Sequence, residues 1–410
     1  MRKILLATTA VAAAALFGPG VASAQEAPTV RVGGYFRFNY AFVDQSGANG
    51  VGAAAGTSTG KSDFASDAEV HVIVTGKAAN GLTYGATIEI QEDQNRQATA
   101  TTATKTSLDI DEQYVWVAYP TLGQLRMGDE DGVVLGAMVT GFNTSFGTGG
   151  FDGDVYDYII GANQRPGYVA GGALADSSKV IYTSPQFFGF DFGASFAFNN
   201  GEGEDSGCES VSAACDRTGS TPGGVLRMRN ERQVALRYRG SFGGVGVQAM
   251  VGYVGSDVVT NSTGQSGKQV SAGQAGVNLS AYGFLLGANY TRGSSNGGYA
   301  PIARSGGAIV DDRDMEQYTL GLSYTWQALT VGANGFIINS AGNQTVGAGR
   351  RDRVWSVGAN YTLAPGLQVV AEYINIDRKE AGFDFINGAA GRANNNVGSD
   401  VFLTGVRIAF

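Results

Sequence analysis

Histidine is nearly absent from this sequence, and with it most of the acid–base chemistry that works near neutral pH. The single one, His71, has no recognisable partner motif with a serine nucleophile, which argues against a hydrolase and leaves no enzymatic reading standing. There are only 2 cysteines and 8 prolines in 410 residues, and charged residues make up just 16 % of the chain. Beyond residue 17, no apolar stretch approaches the roughly 18–20 residues that a helix needs to cross a bilayer. Positive charge is also short: the formal net charge of −8 argues against a nucleic-acid partner and weakly favours cationic ones.

What is present begins with an export signal. Arg2 and Lys3 precede an apolar run over residues 4–17, and Ala22 and Ala24 form the small-residue pattern at which a leader is cut. Residues 1–24 are therefore expected to be removed, which takes the net charge to −10 and leaves residues 25–410 as one domain. Export implies an oxidising compartment, so Cys208 and Cys215, in the polar stretch "GCESVSAACD", are read as a small loop-closing disulfide in preference to a metal or redox site.

Glycine (63), phenylalanine (21) and tyrosine (18) are abundant, and mean hydropathy is close to zero. A large soluble β protein and a membrane barrel with an apolar outside and a polar inside both fit these averages. The pattern along the chain separates them. In "TVRVGGYFRFNYAFV", Val32, Phe36, Phe38, Tyr40 and Phe42 share one face, and Arg31, Tyr35, Arg37 and Asn39 share the other. In the terminal "VFLTGVRIAF", Phe402, Thr404, Val406, Ile408 and Phe410 alternate with Val401, Leu403, Gly405, Arg407 and Ala409.

Between these ends the same unit recurs: two alternating stretches joined by a tight turn such as "AANG", "PTLG", "PQFFG", "GSFGG" or "LAPG", then a long polar connection. The count is about sixteen strands, an even number of the size that encloses an aqueous channel. The expected fold is all-β, a transmembrane antiparallel up-and-down barrel. It is closed by pairing residues 30–43 with residues 401–410, because an open edge in lipid would leave backbone groups unsatisfied. Aromatic girdles are expected at Tyr114, Trp116, Tyr119, Tyr318, Tyr324, Trp326, Trp355, Tyr361 and Phe410. A solenoid is disfavoured because no fixed glycine period is present.

The first strand "VGGYFRFNY", the stretch "LGQLRMGDEDGVV" and the terminal "RIAF" together resemble the Gram-negative general-diffusion porins, most of all their alphaproteobacterial branch, over essentially the whole mature chain. The resemblance implies a long third loop, here residues 130–177, folded into the lumen as a constriction. Its acids would be Asp152, Asp154 and Asp157, with Asp129, Glu130 and Asp131 at its root; an inward Asp129 in place of an arginine departs from the enterobacterial members. It also implies that Phe410 is read by the outer-membrane barrel assembly machinery, and that the protein is a homotrimer.

Parity places Arg31, Arg37, His71, Lys77, Arg126, Lys179, Arg237, Arg239 and Arg407 on the lumen side, since a charge facing lipid costs roughly 2–4 kcal/mol at mid-bilayer. Of these, Arg37, Arg126, Lys179 and Arg237 are the constriction-wall candidates. No cofactor is expected, although calcium at the acidic runs 129–132 or 311–314 stays open; neither run completes an EF-hand loop. The expected function is passive diffusion of ions and small hydrophilic solutes through an outer-membrane pore. A plugged or adhesive surface barrel and a substrate-selective channel remain the alternatives.

Overall fold

The computed structural model describes residues 27–46, 60–91, 109–141, 146–159, 174, 176–200, 227–259, 266–304, 308–386, 389–390 and 396–410. The expected leader at 1–24 and both cysteines, Cys208 and Cys215, lie outside the described residues. Sixteen strands pair each with its neighbour in chain order, all antiparallel, and the last pairs with the first to close a barrel. They are β1 (Thr29–Gln45), β2 (Ser62–Lys77), β3 (Thr83–Gln91), β4 (Asp109–Tyr119), β5 (Gly123–Asp129), β6 (Ser178–Thr183), β7 (Phe190–Asn199) and β8 (Arg227–Phe242). The second half comprises β9 (Val245–Val259), β10 (Val270–Ala281), β11 (Phe284–Ser294), β12 (Met315–Trp326), β13 (Leu329–Ser340), β14 (Arg350–Ala364), β15 (Leu367–Glu380) and β16 (Asn396–Ala409). Among the described residues no helix is long and apolar enough to cross a membrane.

Residue chemistry sets which face looks where. In β7, Phe190, Phe192, Phe196 and Phe198 are exposed on the outside, while Asp191, Ser195 and Asn199 alternate with them and are buried on the inside. An apolar exterior around a polar interior inverts the soluble pattern and suits a barrel whose solvent outside is hydrocarbon. The tight turns sit at one end of the barrel. Two of them are two-residue connections with both residues left-handed, Gly243 and Gly244 (φ 56° and 85°) and Tyr282 and Gly283 (φ 51° and 85°), whose twist matches that of the strands they join. The described parts of the long connections lie at the other end, where Phe383, Phe385, Ile386 and Val397 pack into a small apolar cluster of their own.

Closure is staggered relative to the expectation. β1 pairs with β16 from Tyr35 opposite Ala409 to Gln45 opposite Ser399, so residues 29–33 reach past the seam and pair only with β2. Strands of a barrel are tilted and offset by its shear, which makes the ends of first and last strand miss each other. The seam ends on Gly34 and Phe410, which exchange two backbone hydrogen bonds of 3.1 Å. The girdle reading needs one correction. Trp326, Tyr318, Trp355, Tyr361 and Phe410 are exposed on the outside, but Tyr114 and Trp116 alternate with the exposed Val115 and face inward, where Tyr114 lies under the guanidinium of Arg126.

Gly34 has φ 143°, and a Cβ there would stand 2.1 Å from the Glu69 carbonyl oxygen. Gly34→Ala is therefore expected to weaken the seam by about 1–3 kcal/mol, read as a lower temperature for the heat-induced loss of the compact barrel band in gel electrophoresis; an unchanged transition would refute the strain at this site.

Candidate functional site

The described parts of the connection after β5 do not project outward. They run along the inner wall and bond to inward-facing side chains. Val133–Ala137 forms a π-helical turn whose first amides are received by the wall: Val133 N–H donates to Ser195 Oγ (3.2 Å) and Val134 N–H to Gln233 Oε1 (2.8 Å). Farther on, Gln248 Nε2 donates to Thr140 Oγ1 (2.9 Å), Asn289 Nδ2 to the Thr140 carbonyl (2.8 Å), and Gly141 N–H to Asn278 Oδ1 (3.0 Å). The second part crosses to the opposite wall. There Asn39 Nδ2 donates to the Thr148 carbonyl (3.0 Å), the Thr148 hydroxyl bonds Glu372, and the Phe151 ring lies 5.5 Å from that of Phe336.

Loop backbone outside regular structure carries donors and acceptors that must be met, and here amide and hydroxyl side chains of β1, β7, β8, β10 and β11 meet them. Apolar packing adds to this: Val133, Val134, Leu135 and Met138 are fully buried against wall residues including Met250 and Val254. Gly276 makes the approach possible, since a Cβ on it would lie 1.9 Å from the Thr140 carbonyl oxygen.

The basic residues expected on the wall do face inward, and each is in contact with an acid. Arg37 bonds both Asp67 of β2 and Asp154 of the inner loop, with its guanidinium 5.2 Å from the Tyr35 ring. Arg126 bonds Glu130 and, at 2.9 Å, Gln124. Arg237 forks onto Asp191 (2.7 and 3.2 Å) and also donates to the Ala137 carbonyl (3.2 Å), while Arg239 shares the same Asp191 at 2.8 Å. Lys179 has no exposed side-chain surface; it sits 3.9 Å from Glu231 and donates to the Leu174 carbonyl.

The acids at the loop root diverge. Asp129 lies on the outer face with Met127 and is held by Gln113 (2.9 Å) and Ser178, which corrects the inward placement: residues three apart in a strand, such as Arg126 and Asp129, point to opposite sides. Glu130 turns in to Arg126. Asp131 is enclosed, and burial pushes its carboxyl up to about 6, with Glu231 adding to the rise and Lys179 opposing it. Asp152 is exposed, Asp154 holds Arg37, and Asp157 ends the short 3-10 turn Asp154–Asp157, its side chain lying outside the described residues. The acidic runs at 129–132 and 311–314 do not gather into a metal-holding group among the described residues.

Reading the sequence for basic residues missed their counterparts Asp67, Asp191 and Glu231, and also Glu372, which accepts from the loop's Thr148 hydroxyl. Inward parity, the signal that found the arginines, marks these acids equally well.

A closed sixteen-strand barrel, apolar outside, polar inside and carrying an inner loop after its fifth strand, defines a pore-type outer-membrane protein. The Gram-negative porin family model matches residues 7–381, and the chain belongs to that family. It is an outer-membrane protein. Among solved structures it is similar to a loop-deletion variant of OmpT, an outer membrane protein of Vibrio cholerae (13 % identity, 94 % of this chain and 100 % of that one, TM-score 0.56). It is similar also to a variant of the porin of Rhodopseudomonas blastica (17 % identity, 93 % and 100 % covered, TM-score 0.50). No curated protein matches the chain.

Two outcomes follow from the loop contacts. Gly276→Val should push Thr140 off the wall while leaving the barrel pairs intact, read as faster hydrogen exchange at 133–141 with unchanged strand protection. Asp131 takes up a proton more readily when the loop is docked than when it is free, so docking strengthens as pH falls through about 6. Exchange at 133–138, corrected for intrinsic rate, should slow about fourfold between about pH 7.5 and about pH 5.5; faster corrected exchange on acidification would contradict the burial argument.

Proposed function

We propose that the barrel is a water-filled pore for passive diffusion of ions and small hydrophilic solutes, narrowed by the segment 130–177, without catalytic activity or cofactor, and assembled as a homotrimer by the outer-membrane barrel machinery with Phe410 as part of the signal. The observation that carries this reading is the inner wall. Arg126 and His71 face inward, and each keeps 27 % of its side-chain surface exposed. A dry interior would make such groups costly, whereas water in a lumen satisfies them.

The inner loop sets the character of the passage. Arg37 is held between Asp67 and Asp154, one positive charge against two negative ones, so a permeating ion meets both signs within a short span. Such a transverse arrangement suits hydrated polar solutes and opposes apolar ones, which must lose hydration to pass.

The test is single-channel conductance of refolded protein in a planar bilayer, with the reversal potential under a salt gradient. Steps grouped in threes with mild cation preference are expected. Asp154→Asn should leave Arg37 less neutralised and move the reversal potential toward anions, and Arg37→Ala should move it toward cations. Correctly folded, inserted protein that never conducts would overturn the open pore in favour of a plugged or adhesive barrel.

A further inference from the structure

The lone histidine, which the sequence analysis left as a polar lumen residue, sits in the one place among the described residues where side chains of metal-ligating type converge. His71 and Glu69 lie two apart on the inner face of β2, and Glu89 of β3 is the direct cross-strand partner of His71. The ligand atoms of all three lie within 4.8 Å of one another. His71 Nε2 contacts Glu69 Oε1 and stands 3.8 Å from Glu89 Oε2. We propose that Glu69, His71 and Glu89 form a binding site for one divalent transition-metal cation, Zn²⁺ being the probe of choice, on the inner wall of the barrel.

Charge supports a cation here. The only ion pairs of Glu69 and Glu89 among the described residues are with His71. The arginines on either side are committed elsewhere, Arg37 to Asp67 and Asp154 and Arg126 to Glu130. The imidazole and the two carboxylates offer three donors converging on one point, with no lysine or arginine paired to them among the described residues.

Donor type narrows the ion. One imidazole nitrogen with two carboxylate oxygens leaves a fourth position for water, a set that Zn²⁺ accepts in tetrahedral geometry, whereas Mg²⁺ and Ca²⁺ favour oxygen alone. The scaffold is rigid, because all three donors stand on one hairpin closed by the tight turn between Lys77 and Thr83, so little ordering is needed on binding. Access is open too: the His71 side chain keeps 27 % of its surface exposed. An ion held there would place two positive charges on an acidic stretch of wall. That electrical consequence rests on the pore reading, whereas the binding itself does not.

Calorimetric titration of the folded, metal-stripped barrel in detergent with ZnCl₂ tests the site, with MgCl₂ as the control. One saturable Zn²⁺ per chain is expected. His71→Ala and the isosteric Glu89→Gln should each weaken it by about tenfold or more, with each variant shown to be folded by its heat-modifiable gel mobility. Absence of saturable uptake, equal affinity in His71→Ala, or equal competition by Mg²⁺ would overturn the proposal. In bilayers, Zn²⁺ should shift the reversal potential toward anions in the parent protein and not in His71→Ala. Binding without any conductance would uphold the site and count against the pore, so the two failures are distinguishable.

Discussion

A strand lying in hydrocarbon has no water to meet its backbone groups, so the N–H and C=O along both its edges must be answered by neighbouring strands. Sixteen strands in sequential order answer one another everywhere except at the two ends of the series, and the pairing of β1 with β16 removes that exception. The other features depend on this requirement. Closure separates an outside from an inside, the two-residue period then sorts phenylalanines outward and polar residues inward, and only an enclosed polar interior can receive a loop.

Inside, the arrangement is governed by a different economy of charge. The water-poor face between loop and wall tolerates ions only in company, so Arg237 with Asp191 and Lys179 with Glu231 are paired where exposure is least. Where pairing fails, the geometry changes character. Among the described residues, the carboxylates of Glu69 and Glu89 are paired with an imidazole alone, and Asp131 is enclosed with Lys179 as a neighbour but with an oxygen, Oδ1, that has no hydrogen-bond partner. These two places are where the interior can respond to its surroundings, one to cations and the other to protons.

Strand number, order and facing were legible in the sequence because a two-residue alternation repeated over ten or more residues is hard to mistake, and because tight turns carry their own residue chemistry. The stagger of the seam was not legible: it follows from tilt, which no single strand encodes. Site residues were half legible. Parity found Arg37, Arg126, Lys179 and Arg237 on the inside, but applying family likeness instead of parity put Asp129 on the wrong face, and treating Tyr114 and Trp116 as girdle residues ignored that Val115 between them must point the other way. The acids that neutralise each arginine come from strands or loops up to more than a hundred residues away, as Asp154 does for Arg37, and distance in sequence hides such pairs.

The inner loop is stitched to strands from both halves of the chain: Ser195 and Gln233 early, Asn278 and Asn289 later, then Glu372 near the end and Asn39 near the start. No partial sheet presents all of these partners in one enclosure. Final docking of the segment is thus contingent on a finished cylinder, and a protein caught with its seam unzipped would hold this segment loose. The part of the molecule that narrows the interior is in kinetic terms a latch that records whether assembly has finished, so its protection from solvent and from proteases reports on the wall as a whole.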